Sequence, residues 1–443
     1  MRMHAIRNAC LAGAAFAALA MPARAGCILD EAPSDLAARL TIAAPKISVL
    51  TSQIFDALAL AEMAVPGAAA ALSQVPEGLG EDRGTLEAAI PIAQALAQGE
   101  VETAVAAMER IEDDGTRKDI LNAIVRLTGQ YDLLARYYPI GDSVYSQNLW
   151  SDTPTQMLIE ADRPQDAVAL FGRFEIANHS DRKLSTVLRA FLDRGYRNEA
   201  AQLLDQTSLA LESVAGDTNA KGHHDRIRAV ILGGWAAIGE PRPDDMPTST
   251  FIDASFEVRE AHAAVMAALT NTGQGSALAV FLQRQRNLSS LGSSVLRTTW
   301  SLDPFADEDM AKAFAVADAR FLALNGAFDL LAAIAVAPET REWARVTAAQ
   351  ALIRKALQDK DVARVAGWFP VAGENAFWLS GAAAQAGLQD DPDILALIDA
   401  AWRRSFCTGE AEINPRDTLF VARHLLARAA VRQGRVPASI LRH

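Results

Sequence analysis

Residues 95–105 read Ala-Leu-Ala-Gln-Gly-Glu-Val-Glu-Thr-Ala-Val, and residues 192–201 read Leu-Asp-Arg-Gly-Tyr-Arg-Asn-Glu-Ala-Ala. Each stretch closes one helical pattern at Gly99 or Gly195 and passes through a short polar step. A small residue follows five positions on, Ala104 or Ala200. Glycine supplies the left-handed C-cap conformation without steric cost, so the chain can turn into a second helix. The small residue lets the two helices approach, and the bulky residue four beyond it, Met108 or Leu204, lies on the same face and fills the space.

The phrase recurs. Asp162 leads to Ala167 and Phe171, and weaker copies run from Gln130 to Ala135, Thr272 to Ala277 and Phe281, Gly326 to Leu331, and Lys360 to Val365. Starts at 99, 130, 162 and 195 give a period of about 31–34 residues, which the step from 326 to 360 repeats. One unit is a helical hairpin that cannot bury its apolar stripe alone. Stacking successive hairpins completes the core, which predicts an all-α fold, an elongated and curved α-solenoid of antiparallel helical hairpins.

Composition agrees. Half of the 443 residues are hydrophobic but only 6% are aromatic, and alanine, frequent along the chain, packs helices closely while giving a strand little to pair. No strand-period run of convincing length is present. The segments 216–225 and 239–249 are rich in Gly, Pro, Asp and Thr and flank a helix expected from about Arg226 to Ile238. The predicted organisation is therefore a leader at 1–25, an N-terminal array at 26–215, an irregular segment at 216–249 with one helix, and a C-terminal array at 250–443.

The phrases at 95–105 and 192–201 resemble the hairpin turn of tetratricopeptide-like repeats, with a loop Gly, a Tyr-like position and then Ala. The resemblance covers residues 84 to about 210 best and 272–386 loosely. The Trp, Leu-Gly and Tyr positions of that family's first helix are mostly missing, and so is the closing Pro of most copies. It implies right-handed superhelical stacking and a concave groove that takes peptides or protein partners, and it names no chemistry.

Arg2 and Arg7, the apolar run from Ala9 to Met21 and Pro22-Ala23-Arg24-Ala25 read as a secretory signal cleaved near Ala25, which predicts a periplasmic or secreted protein. Ala25-Gly26-Cys27 is the competing lipoprotein reading, but Arg24 stands where a lipobox has an aliphatic residue. Loss of the signal removes three arginines and no acid, so the formal charge moves from −12 to −15. That balance disfavours nucleic acid and anionic lipid as partners. The most apolar later stretch, Ala57 to Val75, contains Glu62 and Pro66-Gly67 and predicts two soluble helices rather than a transmembrane segment.

Two cysteines remain after cleavage, Cys27 and Cys407. An even pair in an oxidising compartment predicts a disulfide, with two unpaired thiols as the alternative. Closing so long a loop would remove roughly 5 kcal/mol of unfolded-state entropy. A straight solenoid would hold these ends too far apart, so the bond requires a curved body or a folded-back N-terminal arm.

Candidate chemistry is sparse. Ser180 and Lys183 match Ser-x-x-Lys, but no Lys-Thr-Gly follows, and a Ser capping a helix is the reading adopted. Glu212-Ser213 resembles the catalytic pair of lytic transglycosylases without the Gly-Leu-Met-Gln that accompanies it, so Glu212 reads as a helix-end carboxylate. His223-His224-Asp225 has poor ligand spacing and reads as a solvated loop entering a helix. His179, His262, His424 and His443 show no ligand spacing either, and neither a phosphate-binding loop nor a hydrolase elbow occurs. Neither a metal nor a cofactor is implied. Tyr131, Tyr137, Tyr138 and Tyr145 cluster within fifteen residues, followed by Trp150. Rings with a polar tip suit recognition, so these five residues are the partner-binding candidates, core packing being the plainer alternative. Trp343, Trp368, Trp378 and Trp402 recur at repeat-like intervals and predict packing between hairpins. The functional expectation is a non-enzymatic periplasmic scaffold for a protein or peptide partner. The alternative is a cell-wall enzyme or glycan-binding module associated with peptidoglycan.

Overall fold

The computed structural model describes residues 27–43, 52–71, 82–137, 152–174, 181–214, 221–247, 256–284, 308–338, 340–407 and 415–442. Among them every regular element is helical. The α-helices are α1 (Pro33–Ala43), α2 (Ser52–Ala64), α3 (Ala68–Ala71), α4 (Asp82–Ala97), α5 (Val101–Met108), α6 (Asp114–Thr128), α7 (Asp132–Tyr137), α8 (Asp152–Glu160), α9 (Pro164–Phe171), α10 (Asp181–Asp193) and α11 (Arg197–Val214). They continue with α12 (Lys221–Ala237), α13 (Phe256–Asn271), α14 (Gly275–Arg284), α15 (Glu308–Leu324), α16 (Phe328–Val336), α17 (Glu342–Gln358), α18 (Val362–Trp368), α19 (Ala376–Gln385), α20 (Pro392–Phe406) and α21 (Pro415–Arg432). Short 3₁₀ turns cover Ile28–Asp30, Pro243–Asp245 and Ala438–Arg442. No described helix is long and apolar enough to cross a membrane. The expected signal at 1–25 lies outside the described residues.

The turns carry the order that the sequence phrase demands. Gly99, Asp162, Gly195, Gly326 and Lys360 all have positive φ, between 58° and 79°. After each one the next amide reaches back to the preceding helix: Glu100 N–H donates to Ala95 C=O at 2.8 Å, Arg163 to Leu158 at 2.9 Å, Tyr196 to Phe191 at 3.0 Å, Ala327 to Leu322 at 2.9 Å and Asp361 to Ala356 at 2.8 Å. These are Schellman closures, in which the left-handed residue frees one amide to satisfy an orphaned carbonyl. Ala104, Ala167, Ala200, Leu331 and Val365 then enter the next helix fully buried. Two weaker copies shift by one residue. Gly129 rather than Gln130, and Gly273 rather than Thr272, take the left-handed conformation, because an L side chain there is strained where glycine is not. The inward residues become Leu134 and Leu278, and Ala135 points to solvent.

Consecutive helices pack on each other across these turns: α4 on α5, α6 on α7, α8 on α9, α10 on α11, α13 on α14, α15 on α16, α17 on α18 and α19 on α20. The first members of these pairs also touch in succession, α4 on α6, α6 on α8 and α8 on α10, then α13 on α15, α15 on α17 and α17 on α19, and α2 packs on α6. α12, inside the irregular segment, packs against α10, α11 and α13. It starts at Lys221, earlier than the expected Arg226, and so takes His223-His224-Asp225 into its first turn instead of a loop. Its approach to neighbours is close: a Cβ on Gly233 would stand 2.5 Å from Ala261 Cα, and one on Gly234 would stand 2.7 Å from a Leu204 methyl.

The two ends of the chain meet. α21 packs against α1 and α2, and its apolar residues from Leu419 to Ala430 join the same cluster as Ile28, Leu40, Phe55 and Leu60. Inside this contact lies Asp56 of α2, with no exposed surface, between Arg126 of α6 at 3.1 Å and Arg423 of α21 at 2.9 Å. Cys27 and Cys407 stand at disulfide distance with their Cα atoms 4.9 Å apart. Arg403 pairs with Asp30 beside them at 2.6 Å. Pro66 and Gly67 divide α2 from α3 as expected. Glu62 turns inward there, accepting from the amides of Gly67 at 2.7 Å and Ala69 at 2.8 Å.

Candidate functional site

Of the aromatic candidates, Tyr131 and Tyr137 are half-buried and pack against the main apolar cluster, with the Arg136 guanidinium 4.9 Å from the Tyr137 ring centre. Tyr138, Tyr145 and Trp150 lie outside the described residues, as does Ser180. The Glu212-Ser213 pair occupies the exposed last turn of α11, where the Ser213 hydroxyl donates to Ala210 C=O at 2.7 Å. His224 is buried in α12 beside the half-buried His223. Among the described residues no group of three His, Cys, Asp or Glu side chains could hold a metal ion.

Among the described residues a Ser–His contact forms between positions that no sequence motif links. Ser380 Oγ and His424 Nε2 share a hydrogen bond of 2.9 Å. Both residues are about 5% exposed. The rings of Trp402 and Phe377 pack edge-on against the imidazole at 4.8 and 6.2 Å. Burial, reinforced by Arg423 and Arg428, lowers the histidine pKa to about 3, so the ring is neutral. The pair is closed from solvent and packs in the interior against Trp402 and Phe377.

A polar recess of about 170 Å³ opens where the ends of four helices converge. Asp162 comes from the turn after α8, and Asp193, Arg194 and Tyr196 from the end of α10. Arg354 and Gln358, spaced i and i+4 on one face of α17, and Gln385 of α19 complete it. The two sides are thus supplied by segments more than 150 residues apart. Asp162 Oδ1 accepts from Arg194 Nη1 and from the Tyr196 hydroxyl, each at 2.9 Å. Asp193 accepts from Arg320 Nε of α15 at 2.9 Å, and Arg197 donates to Leu324 C=O at 2.9 Å, so the two sides are tied across the gap. Arg354 lies over the Trp378 ring at 5.7 Å.

The charges are arranged with purpose. The Asp193 side chain keeps 35% of its surface open on the wall of the recess. Burial pushes its carboxyl up, but Arg320 and Arg354 outweigh that and hold it below the ordinary carboxylate range. Burial and Asp162 raise the Tyr196 phenol, which therefore stays a hydrogen-bond donor. A smaller pocket of about 40 Å³ adjoins, lined by Ser185, Arg189, Glu260, Arg320, Gly233 and Gly234. Glu260 is raised chiefly by burial, with Arg189 at 3.5 Å opposing.

Comparison of the chain with protein-family models, curated proteins and solved structures finds no match. The site therefore has to be read from its own residues. One recess residue, Asp162, is itself a turn position of the sequence phrase, and Arg194 and Tyr196 flank another, Gly195. Their meeting across the molecule had no signal in the sequence.

Proposed function

We propose that the protein is a periplasmic, non-enzymatic helical-repeat module, an α-solenoid of antiparallel hairpins closed on itself, which binds a protein or peptide partner. The observation that carries this reading is the recess. Turns of successive repeats in one half and helix faces of the other present an accessible set of charged and amide groups to one opening. Repeat arrays bind along such surfaces because each unit contributes one or two side chains at a regular step.

The same geometry speaks against the glycan-cleaving alternative. Both recess carboxylates are paired with arginine, Asp162 with Arg194 and Asp193 with Arg320, and Asp193 is held ionised. A glycosidase acid needs the reverse, a carboxyl kept protonated opposite a second free carboxylate. The test is in-cell crosslinking followed by denaturing purification from the periplasmic fraction, comparing the wild-type chain with a Gln385→Trp variant that fills the recess. A partner crosslinked at recess residues in the wild type and lost in the variant is the expected result. A crosslink pattern indifferent to the filled recess would overturn the reading.

A further inference from the structure

We infer that the recess takes a primary ammonium group, the side-chain end of a lysine in the peptide partner, with Asp162 and Asp193 as its acceptors. This anchor rests on the peptide-binding reading of the same recess.

The formal charges of the walls cancel. Asp162 and Asp193 face Arg194 and Arg354, and in the adjoining pocket Glu257 and Glu260 face Arg189 and Arg320. The backbone breaks this balance. Each of the four helices that converge on the recess arrives by its C-terminal end: α8 ends at Glu160, α10 at Asp193, α17 at Gln358 and α19 at Gln385. A helix C-terminus carries roughly half a negative charge, so four of them together favour a cation. Exposure tilts the opening the same way. Asp162 and Asp193 keep 59% and 35% of their side chains open, whereas Arg194 keeps 11% and spends Nη1 on Asp162. The Arg354 guanidinium stacks over the Trp378 ring, which is not one of the recess walls. Burial pushes the Asp193 carboxyl up, but Arg320 and Arg354 outweigh it, so this acceptor meets a ligand ionised.

Hydrogen-bond valence chooses among cations. A guanidinium fork pairs with two oxygens of one carboxylate in parallel. Asp162 Oδ1 already accepts from Arg194 and Tyr196, and Asp193 Oδ1 from Arg320, so neither offers an unshared pair of oxygens. An ammonium is a compact charge with three separate donors and needs only one oxygen from each acceptor. The exposed side-chain amides of Gln358 and Gln385 make no hydrogen bond among the described residues, and their carbonyl oxygens supply a third acceptor. Ala382 and Ala386 add a small apolar wall for the four-carbon stem of a lysine to lie along. About 170 Å³ is close to the size of cavities that hold one benzene ring, about 150 Å³, so one side chain enters and the rest of the peptide stays outside.

The test uses the full oxidised chain and dye-labelled hexapeptide pools of otherwise uncharged residues, read by fluorescence anisotropy at low and high salt. Three pools have blocked ends and carry one lysine, one Nε-acetyl-lysine or one arginine, and a fourth has no such residue but a free amino end. The lysine pool should bind about ten- to a hundredfold more tightly than the acetyl-lysine pool, the range expected for losing a charge-assisted hydrogen bond, and more tightly than the arginine pool. Asp162→Asn should lose about tenfold of the lysine affinity with its circular dichroism and urea midpoint unchanged, because Asn tolerates the left-handed φ of 59°. Gln385→Glu, which disturbs no hydrogen bond among the described residues, should tighten the lysine pool and leave the acetyl-lysine pool unmoved. Equal binding of the lysine and acetyl-lysine pools, no binding by the lysine pool, or a lysine affinity indifferent to Asp162→Asn would overturn the inference. Tighter binding of the free-amino pool than of the lysine pool would overturn the assignment to a side chain in favour of a chain end. If the lysine pool fails while a partner still crosslinks at recess residues in cells, this anchor falls and the peptide-binding reading stands; if that crosslink is absent too, both fall.

Discussion

Asp56 accepts from two arginines in a place where no water reaches it, and the balance of charge there decides what its removal costs. Arg126 and Arg423 are tolerated in the interior because the carboxylate lies between them. Asp56→Asn should therefore cost about 3–5 kcal/mol, the usual penalty for stranding buried charge, measured as a drop in urea midpoint. A change under about 1 kcal/mol would mean that the arginines find other acceptors. His424 makes a second prediction at this scale, with its sign fixed by burial. The folded imidazole has a pKa of about 3 and the unfolded one about 6.5, so between those values the unfolded chain binds the extra proton. Its contribution is complete above pH 6.5 and is lost as pH falls toward 3, by a few kcal/mol in all. Other carboxyl groups titrate in the same window, so the quantity to measure is the difference between wild type and His424→Gln. That difference should shrink from pH 7 to pH 4, and a constant difference would sink the argument.

The helices and their turns show which physical signals a sequence carries openly. Gly99 and Gly195 announced themselves because a left-handed cap, a buried small residue five positions on and a bulky residue four beyond all fall within one short window. Gly239, Gly387 and Gly434 take the same left-handed conformation, yet the phrase missed them, since no helix resumes one or two residues later. Pro243, Pro392 and Ala438 begin the following elements instead. The recess stayed invisible for another reason: arginine and glutamine on a helix face form no motif, and only tertiary packing brings α10 to α15 and α17 to α19. Lys360 tests the turn logic directly. At φ 58° an L residue bears a cost of about 1 kcal/mol that glycine escapes, partly offset by the extra freedom glycine has when unfolded. Lys360→Gly should thus raise stability by a few tenths to about 1 kcal/mol in thermal unfolding, where an ordinary helix-interior Lys→Gly would lower it. Gly233→Val should do the opposite. Its Cβ would meet the α13 backbone at Ala261, so the helices must separate and about 1–3 kcal/mol is lost.

At the scale of the whole molecule, the ends are held by three kinds of bond that respond differently to perturbation. The exposed Arg403–Asp30 pair lies in solvent and adds little. The packing of α21 on α1 and α2, with Asp56 at its centre, is apolar and buried and belongs to the folded state. The Cys27–Cys407 pair, 380 residues apart in sequence, acts mainly on the unfolded state by forbidding its most extended conformations. Breaking it should leave the fold and its helical signal intact, because the α21 contact remains, while the unfolded chain gains roughly 5 kcal/mol of entropy in the loop-closure description. The reduced protein and the Cys27→Ser, Cys407→Ser double variant should then share a lower urea midpoint than the oxidised protein. Both should also show a steeper dependence on urea, since a chain free at its ends exposes more surface on unfolding. Equal midpoints for the oxidised and reduced forms would show that the unfolded ensemble already keeps its ends together. A loss of native helicity on reduction would instead place the covalent link, and not the packing of α21, at the centre of closure.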